Sequence, residues 1–273
     1  MTGDRLENPP IVEAVVDLDC DMAPGWDLGA VETQTRDAFR ERYPEFRAQL
    51  LHEHTIQASG EAEPKLSVRR GLQAFQFLQD DGRQLVQVRV AGFSFNRLAP
   101  YTSLGDYLPE IERTWRLFVE IASPVQVRNV RLRYINRILL PFQDGSVDLD
   151  EYLAAGPRLP EEESLRFAGF VDRHLMLERA TGHRVDVTLA TQPEEEDRLP
   201  VILDIHVTAG MAADPGDWGP IAERIGALRA LKNLVFRRTL TERCLKPPRV
   251  PPTLWRWGPT APSRESRRPS VRQ

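Results

Sequence analysis

The sequence contains few of the residues that hold small or metal-dependent proteins together. Only two cysteines, Cys20 and Cys244, occur in 273 residues, and they lie far apart in the chain. This argues against a disulfide framework and against a structural zinc site. Such a chain is typical of a reducing cytoplasm, in which we expect each cysteine to be a small buried apolar residue.

Long apolar segments are also missing. No apolar run approaches the roughly 18 residues that a membrane-spanning helix needs. The first ten residues, MTGDRLENPP, lack the basic and then apolar pattern of a signal peptide. The sequence therefore predicts a cytoplasmic protein without a membrane partner.

The chain lacks the short motifs of the commonest enzyme and cofactor classes. It has no Walker loop, dinucleotide-binding glycine motif, nucleophile elbow or paired zinc spacing. No cofactor is therefore predicted. His52 and His54 share one face of a predicted strand, but no third ligand accompanies them, so no metal site is predicted either.

The charge of the chain is unevenly distributed. The net charge is −4, yet residues 246–273 carry seven basic residues against one acid, which gives this tail +6 and leaves −10 on residues 1–245. The acidic body argues against a nucleic-acid surface spread over the whole protein. The tail is rich in Pro, Ser and Arg, which predicts a partly disordered extension. It is either solvated or a weak anchor for an acidic partner or a phosphate backbone.

Hydrophobic periodicity divides the rest of the chain into two halves with one order of elements, β-α-β-β-β-α. The first repeat covers 9–124 and the second covers 125–245, and we expect both in one sheet. In the first half, Asp81-Gly82 predicts a hairpin turn and Ala91-Gly92 predicts a bulge. The first half has predicted strands at 9–22 and 52–59, two more within 72–95, and helices at 27–43 and 106–122. The second half has predicted strands at 125–142, 165–180, 183–191 and 201–208, and helices at 148–155 and 217–240.

A nine-residue motif recurs at the start of the last helix of each half. GDYLPEIER at 105–113 matches GDWGPIAER at 216–224 with an offset of 111. Asp can cap a helix, Pro is tolerated in the first turn, and Glu suits the positive end of the helix dipole. The apolar stripes of the two helices are out of phase by one residue, so the match indicates either duplication or a coincidence of capping.

The stretch VRNVRLRYINRILLPF at 127–142 places arginines in an otherwise aliphatic strand. Because side chains alternate along a strand, Arg131, Arg133 and Arg137 share one face. If this strand pairs antiparallel with the first strand, acids face bases and apolar residues meet on the other face. The predicted pairs are Glu13 with Arg137, Asp17 with Arg133, and Asp19 with Arg131, with Val15 opposite Ile135. We interpret these arginines first as structural partners and alternatively as part of an anion-binding face.

Two units joined through their first strands form one curved antiparallel sheet with helices on one face and an open polar face. The outline resembles the saddle of TATA-binding proteins, a likeness of fold that carries no function. The candidate binding residues on the polar face are Arg131, Arg133, Arg137, Arg184, Asp186, Asp204 and His206, accompanied by Thr188 and Thr208.

Two segments, NPPIVEAVVDLD at 8–19 and RYINRILLP at 133–141, resemble the hallmark segments of a sporadically distributed, functionally uncharacterised bacterial protein family. The layout matches over about residues 5–245, and the tail lies outside it. The resemblance transfers no catalytic residue. The patchy distribution of such a family implies carriage on mobile or defence-related loci.

Three functions remain open at this point. The leading hypothesis is a non-enzymatic binding or adaptor protein that holds a partner protein on its curved sheet. The second is a nucleic-acid-associated module in which the tail and the arginine-bearing face contact phosphates. The third is a hydrolase or nuclease that uses Asp186, Asp204 and His206, because acids and an imidazole on one face can form a general acid–base pair.

Overall fold

The computed structural model describes residues 9–57, 65–143, 146–156 and 168–245, with the side chains of 52–57 and 65–70 outside the description. The tail at 246–273 and the side chains of His52 and His54 therefore lie outside it as well. The described residues form nine strands and four helices. The strands are β1 (Ile11–Asp21), β2 (Glu45–Gln57), β3 (Lys65–Leu78), β4 (Gln84–Arg89), β5 (Gly92–Leu98), β6 (Gln126–Pro141), β7 (Val171–Leu177), β8 (Arg184–Thr191) and β9 (Arg198–Ala213). The helices are α1 (Glu32–Phe39), α2 (Leu104–Ala122), α3 (Trp218–Thr239) and α4 (Glu242–Leu245).

All nine strands belong to one sheet, in the order β2-β3-β4-β5-β1-β6-β9-β8-β7. Every neighbouring pair is antiparallel. The first strands of the two predicted halves, β1 and β6, lie side by side at the centre. The other neighbour of β1 is β5, and the other neighbour of β6 is β9. The prediction of an α+β fold with one antiparallel sheet is confirmed.

The hydrophobic core lies between one face of this sheet and the helices. Alternate residues of each strand are buried there, and α1, α2 and α3 all contact this side of the sheet. The buried residues of β9 and the apolar stripes of α2 and α3 all contribute to this core. They are Val201, Leu203, Ile205 and Val207 on β9, Ile111, Trp115 and Phe118 on α2, and Ile221, Ile225 and Leu228 on α3. Each such side chain stabilises the fold by about 1.5–3 kcal/mol when fully buried. This burial decides which face of every strand turns toward the helices.

The predicted register between β1 and β6 is wrong by two residues. The strands are antiparallel as expected, but Asp17 lies opposite Arg131, Val15 opposite Arg133, and Glu13 opposite Ile135. On the core face this register puts the smallest residue, Ala14, opposite the bulky Tyr134. Packing of the buried face therefore sets the register, because the charged residues find partners on β4, β5 and β9 as well.

The bulge predicted at Ala91-Gly92 is a hairpin turn. Val90 and Ala91 connect β4 to β5, so the first half has four strands after α1 instead of three. Gly92 has a φ of +144°, and a Cβ on it would lie 2.1 Å from the carbonyl oxygen of Leu18. Only glycine at position 92 allows β5 to approach β1 this closely. The other predicted hairpin, at Asp81-Gly82, is present between β3 and β4, with Gly82 at a φ of +64°.

The boundaries of several predicted elements differ from the structure. The helix expected at 27–43 is a 3-10 turn at Gly29–Val31 followed by α1. Neither element has a side-chain cap, and Asp27, which lies before both, accepts a hydrogen bond from Gly29 N at 2.9 Å. The helix expected at 148–155 is only a 3-10 turn at Leu149–Glu151. The strand expected at 165–180 is the shorter β7. None of the helices in the described ranges is long and apolar enough to cross a membrane.

The recurring motif does not begin its two helices in the same way. Asp217 caps α3 by accepting a hydrogen bond from Gly219 N at 3.1 Å. In α2 that role belongs to Ser103, whose hydroxyl accepts from Asp106 N at 3.3 Å. Asp106 itself lies in the first turn of α2. The matching aspartates therefore occupy different positions relative to their helix starts.

Candidate functional site

The candidate site is the side of the sheet that faces away from the helices, which we call the open face. The pairing registers put every sequence-predicted site residue on it, because side chains opposite each other in neighbouring strands point the same way. Arg131 lies beside Thr208, Arg133 beside His206, and Asp186 beside His206. The residues brought together are Glu13, Asp17 and Asp19 on β1, Arg131, Arg133 and Arg137 on β6, Arg184, Asp186 and Thr188 on β8, and Asp204, His206 and Thr208 on β9.

Arg133 pairs with Asp204 on β9, not with Asp17 as predicted. Its Nε donates to Asp204 Oδ2 at 3.0 Å and to Oδ1 at 3.1 Å, and its Nη2 donates to Oδ2 at 2.6 Å. This hydrogen-bonded pairing raises the pKa of Arg133 further above its usual value. The fork geometry of guanidinium matches a carboxylate, so the pair fixes both side chains on the face.

Asp19 is the centre of a second group of ion pairs. Arg131 Nη2 donates to Asp19 Oδ1 at 2.7 Å. This pair was predicted, but the two residues are diagonal neighbours on β1 and β6 and do not lie directly opposite each other. Arg89, which the sequence analysis did not single out, donates to the same oxygen at 3.0 Å and to the carbonyl oxygen of Phe93 at 3.0 Å. Gly92 lies directly between Arg89 and Asp19 in the register, and its missing side chain leaves room for this contact.

The first half of the open face also carries a row of hydrogen-bonded amides. Gln76 donates to Gln49 and to Gln87, both at 3.2 Å, and Gln87 donates to Asn96 at 3.1 Å. Asn96 then donates to Glu13 at 2.7 Å. Glu13, predicted to pair with Arg137, therefore ends a hydrogen-bonded row that runs from β2 to the centre of the sheet.

Arg137 pairs at the loop between β8 and β9. Its Nε donates to Gln192 Oε1 at 3.1 Å, and its Nη2 forms an ion pair with Glu195. The acidic run 194–197 is exposed, but Glu195 is held against the sheet by this ion pair. A local sequence pattern gives no signal for this contact, because 58 residues separate the two partners.

The residues proposed for acid–base chemistry, Asp186, Asp204 and His206, do not form hydrogen bonds with one another in the described structure. Arg173 Nε donates to Asp186 Oδ1 at 2.9 Å, and this contact lowers the pKa of Asp186. Burial, and then the nearby Arg131, lower the pKa of His206, so its imidazole is neutral near pH 7. Within the described residues His206 makes no hydrogen bond to Asp186 or Asp204, and its Nε2 is buried without a partner. Both carboxylates are held by arginines and not by the imidazole.

Among the described side chains, the arginines of the open face are paired with nearby carboxylates. Six of them form ion pairs with acids on the same face or, for Arg137, in the adjoining β8–β9 loop: Arg89, Arg131, Arg133, Arg137, Arg173 and Arg184. Such pairing leaves little excess positive charge to attract phosphates. It also leaves spare donors on each guanidinium, since one carboxylate does not use all five N–H groups.

An apolar strip borders this face at the edge strand β7. Val171, Leu175 and Leu177 are 78%, 59% and 70% exposed, and all three point to the open-face side by their register with β8. Sequence analysis did not identify these residues, since they read as part of an ordinary strand. Among the described residues, β7 pairs on one side only, with β8.

The chain matches no protein-family model and no curated protein. Among the described residues, no three His, Cys, Asp or Glu side chains lie close enough together to hold a metal ion.

Proposed function

We propose that the protein is a non-enzymatic binding protein, an adaptor that holds an extended segment of a partner polypeptide at strand β7. The observation that carries the proposal is the edge strand itself, with Val171, Leu175 and Leu177 exposed beside a charge-balanced sheet face. Natural edge strands are commonly protected by lysine, proline or a bulge. β7, with the sequence VDRHLML, has no lysine or proline, and its pairing with β8 has no register shift.

The partner follows from the chemistry of this edge. An added strand satisfies the outward backbone groups of β7, and side chains at alternate positions reach the apolar strip. A segment with apolar residues at every second position fits Val171, Leu175 and Leu177. The ion pairs beside the strip favour a polypeptide with charges of both signs, because neither sign is in excess on the face.

A second copy of β7 fits this edge less well. Antiparallel self-pairing centred on Arg173 opposes two arginines, and pairing centred on His174 opposes two histidines and sets Arg173 against Leu175. Pairing centred on Leu175 opposes Asp172 to Glu178. Each of these three registers loses either charge balance or apolar contact, and we therefore propose a different polypeptide as the occupant.

The two other functions have weaker support. Nucleic-acid binding requires free cations, and the arginines of the open face are paired, which leaves the tail at 246–273 as the main source of positive charge. A mobility shift that falls steeply with salt and disappears on truncation at Lys246 supports that function. A hydrolase or nuclease requires His206 to reach Asp186 or Asp204, and their hydrogen bonds go to arginines instead. A phenotype or activity lost on substitution of His206 alone supports that function.

We also propose that the two halves descend from one duplicated unit and that their common sheet is curved into a saddle. The support is the equivalent order of strands outward from the centre, β1-β5-β4-β3 and β6-β9-β8-β7, with β2 as an addition. A crystal structure in which the segments 9–124 and 125–245 fail to superpose strand for strand contradicts the duplication.

The adaptor proposal predicts that one substitution on β7 abolishes partner capture. Tagged full-length protein, Leu175→Lys and Leu234→Lys are used to capture proteins from the native host, and the captured proteins are quantified. Leu234 is the matched control because it is 53% exposed but lies on α3. We expect a partner that is retained by wild type and Leu234→Lys and reduced at least tenfold by Leu175→Lys, since a charge on the strip opposes apolar contact.

Two results contradict the adaptor proposal. One is equal capture of every protein by all three variants. The other is a wild-type dimer in light scattering that becomes a monomer in Leu175→Lys, which assigns the edge to a second copy of the chain.

A further inference from the structure

A separate group of cations lies on the opposite, helix-covered side of the sheet. It consists of three cationic side chains and three tyrosines contributed by β5, β6, α2, α3 and the segment before α2. The members are Arg97, Arg229, Lys232, Tyr101, Tyr107 and Tyr134.

Five of these six side chains form a continuous series of contacts, and Arg229 is an electrostatic neighbour of Lys232. Lys232 Nζ lies 3.8 Å from the ring centroid of Tyr134, and the hydroxyl oxygens of Tyr134 and Tyr101 are 3.1 Å apart. The rings of Tyr101 and Tyr107 have centroids 5.6 Å apart, and the Arg97 guanidinium carbon lies 5.2 Å from the centroid of Tyr107. The tyrosines therefore link a lysine of α3 to an arginine of β5.

Two small residues lie next to this group. In the register of the core face Arg97 is opposite Ala14, and Ala14 is opposite Tyr134. A methyl group thus separates two long side chains in the same row. Gly105, in the first turn of α2, also has no side chain, and a Cβ there would lie 3.9 Å from Arg229 Nη1.

The cations have no acidic partner among the described residues. In the described part of the chain, Arg97, Arg229 and Lys232 form no ion pair with any carboxylate, whereas the arginines of the open face do. Lys232 is only 7% exposed, and Arg97 Nε is buried without a hydrogen-bond partner. Burial and the nearby Arg229 lower the pKa of Lys232 to about 7.

Such an arrangement is costly for a purely structural core. A buried ammonium normally pairs with a carboxylate, because the loss of hydration is otherwise uncompensated. A ring face recovers only about 0.5–2 kcal/mol. Several unpaired cations beside hydroxyl donors are instead typical of a site that binds an oxyanion.

We propose that this group binds the phosphate or carboxylate group of a small anionic ligand. Lys232 supplies a point charge from α3, Arg229 supplies guanidinium donors beside the first turn of α2, and the Tyr101 hydroxyl donates a hydrogen bond. The aromatic rings form the apolar wall on which the rest of the ligand rests. The site is separate from β7, and its occupancy is independent of partner binding there.

The test is calorimetric titration of the full-length protein with pyrophosphate and, separately, with citrate, at constant ionic strength. Pyrophosphate represents a phosphate ligand and citrate a carboxylate ligand, so the stronger response identifies the source. We expect wild type to bind at least one of them and Lys232→Met to bind it at least tenfold more weakly. Arg238→Met is the matched control, because Arg238 is an exposed cation of the same helix, and it should bind like wild type.

Absence of binding of both anions to wild type at millimolar concentration overturns the proposal. An equal loss of affinity in Lys232→Met and Arg238→Met also overturns it, since that result indicates only non-specific attraction. If Lys232→Met does not fold, Arg229→Gln takes its place, and unchanged affinity in that variant overturns the proposal.

Discussion

At the scale of single residues, the arginines of β6 pair with acids on more than one strand. Arg131 reaches Asp19 diagonally across β1, Arg133 pairs with Asp204 on β9, and Arg137 pairs with Glu195 in a loop. Sequence alternation was sufficient to assign all three to one face. It could not assign their partners, because an arginine side chain has the reach to choose among acids on several strands.

The first prediction concerns the partner of Arg133. In a double-mutant cycle measured by urea unfolding, Arg133→Ala and Asp204→Ala should show a coupling of roughly 0.5–1 kcal/mol, the range of a well-oriented exposed pair. The cycle of Arg133→Ala with Asp17→Ala is the control and should show less coupling. Stronger coupling to Asp17 than to Asp204 contradicts the observed register.

Lys232 is the second residue with a testable consequence. Its pKa of about 7 lies below the ordinary value of 10.5, so between these values the unfolded chain binds a proton that the folded chain releases. This term makes the free energy of unfolding rise with pH from about 7 to about 10.5. The groups that face Lys232 are the Tyr134 ring on β6, the Tyr101 hydroxyl beyond it and Arg229 on its own helix.

Replacing Lys232 by methionine should therefore stabilise the protein at pH 7 and remove this part of the pH dependence. We expect a gain of about 1–3 kcal/mol, because methionine fills similar volume without a charge to desolvate. Urea unfolding of wild type and Lys232→Met at pH 7 and pH 10 measures the difference. A Lys232→Met protein that is less stable than wild type at pH 7 would show that the ammonium has a partner.

At the scale of elements, glycines and small residues determine the hairpin turns and the strand register, which hydrophobic periodicity alone does not specify. The Asp81-Gly82 hairpin was predictable, since the turn chemistry is local. The hairpin at Val90-Ala91 was not, because neither turn residue has positive φ and the decisive constraint is contact between Gly92 and Leu18 on another strand. The β1–β6 register was missed for a similar reason, since the small Ala14 opposite Tyr134 outweighed direct opposition of charges.

A pair of glycine substitutions tests this account of the elements. Gly92→Ala should destabilise by about 2 kcal/mol or more, because its φ is unfavourable and its Cβ would meet backbone. Gly226→Ala lies inside α3 with open space around the added methyl, and it should stabilise by about 0.5–1 kcal/mol. Thermal unfolding of both variants measures the contrast. Equal effects of the two substitutions contradict the proposed close approach of β5 to β1.

At the scale of the whole molecule, the two sides of the sheet differ in how their charged residues are paired. The open face has its charges neutralised by neighbours and ends in the exposed apolar edge β7. Within the described residues, the helix-covered side holds Lys232 and two arginines that form no ion pair with a carboxylate. The sequence predicted the polar face correctly because alternation is local. It did not predict the edge or the cation group, since exposure and missing partners depend on the order of strands and on helix packing.

The most direct measurement of the central claim is site-specific photo-cross-linking in the native host. A photoreactive phenylalanine analogue replaces Leu175 on β7 in one variant and Leu234 on α3 in another. The account predicts a discrete cross-link to one other protein from position 175 and none to that protein from position 234. The same cross-linked protein from both positions, or a cross-link from 175 only to nucleic acid or to a second copy of the chain, would contradict it.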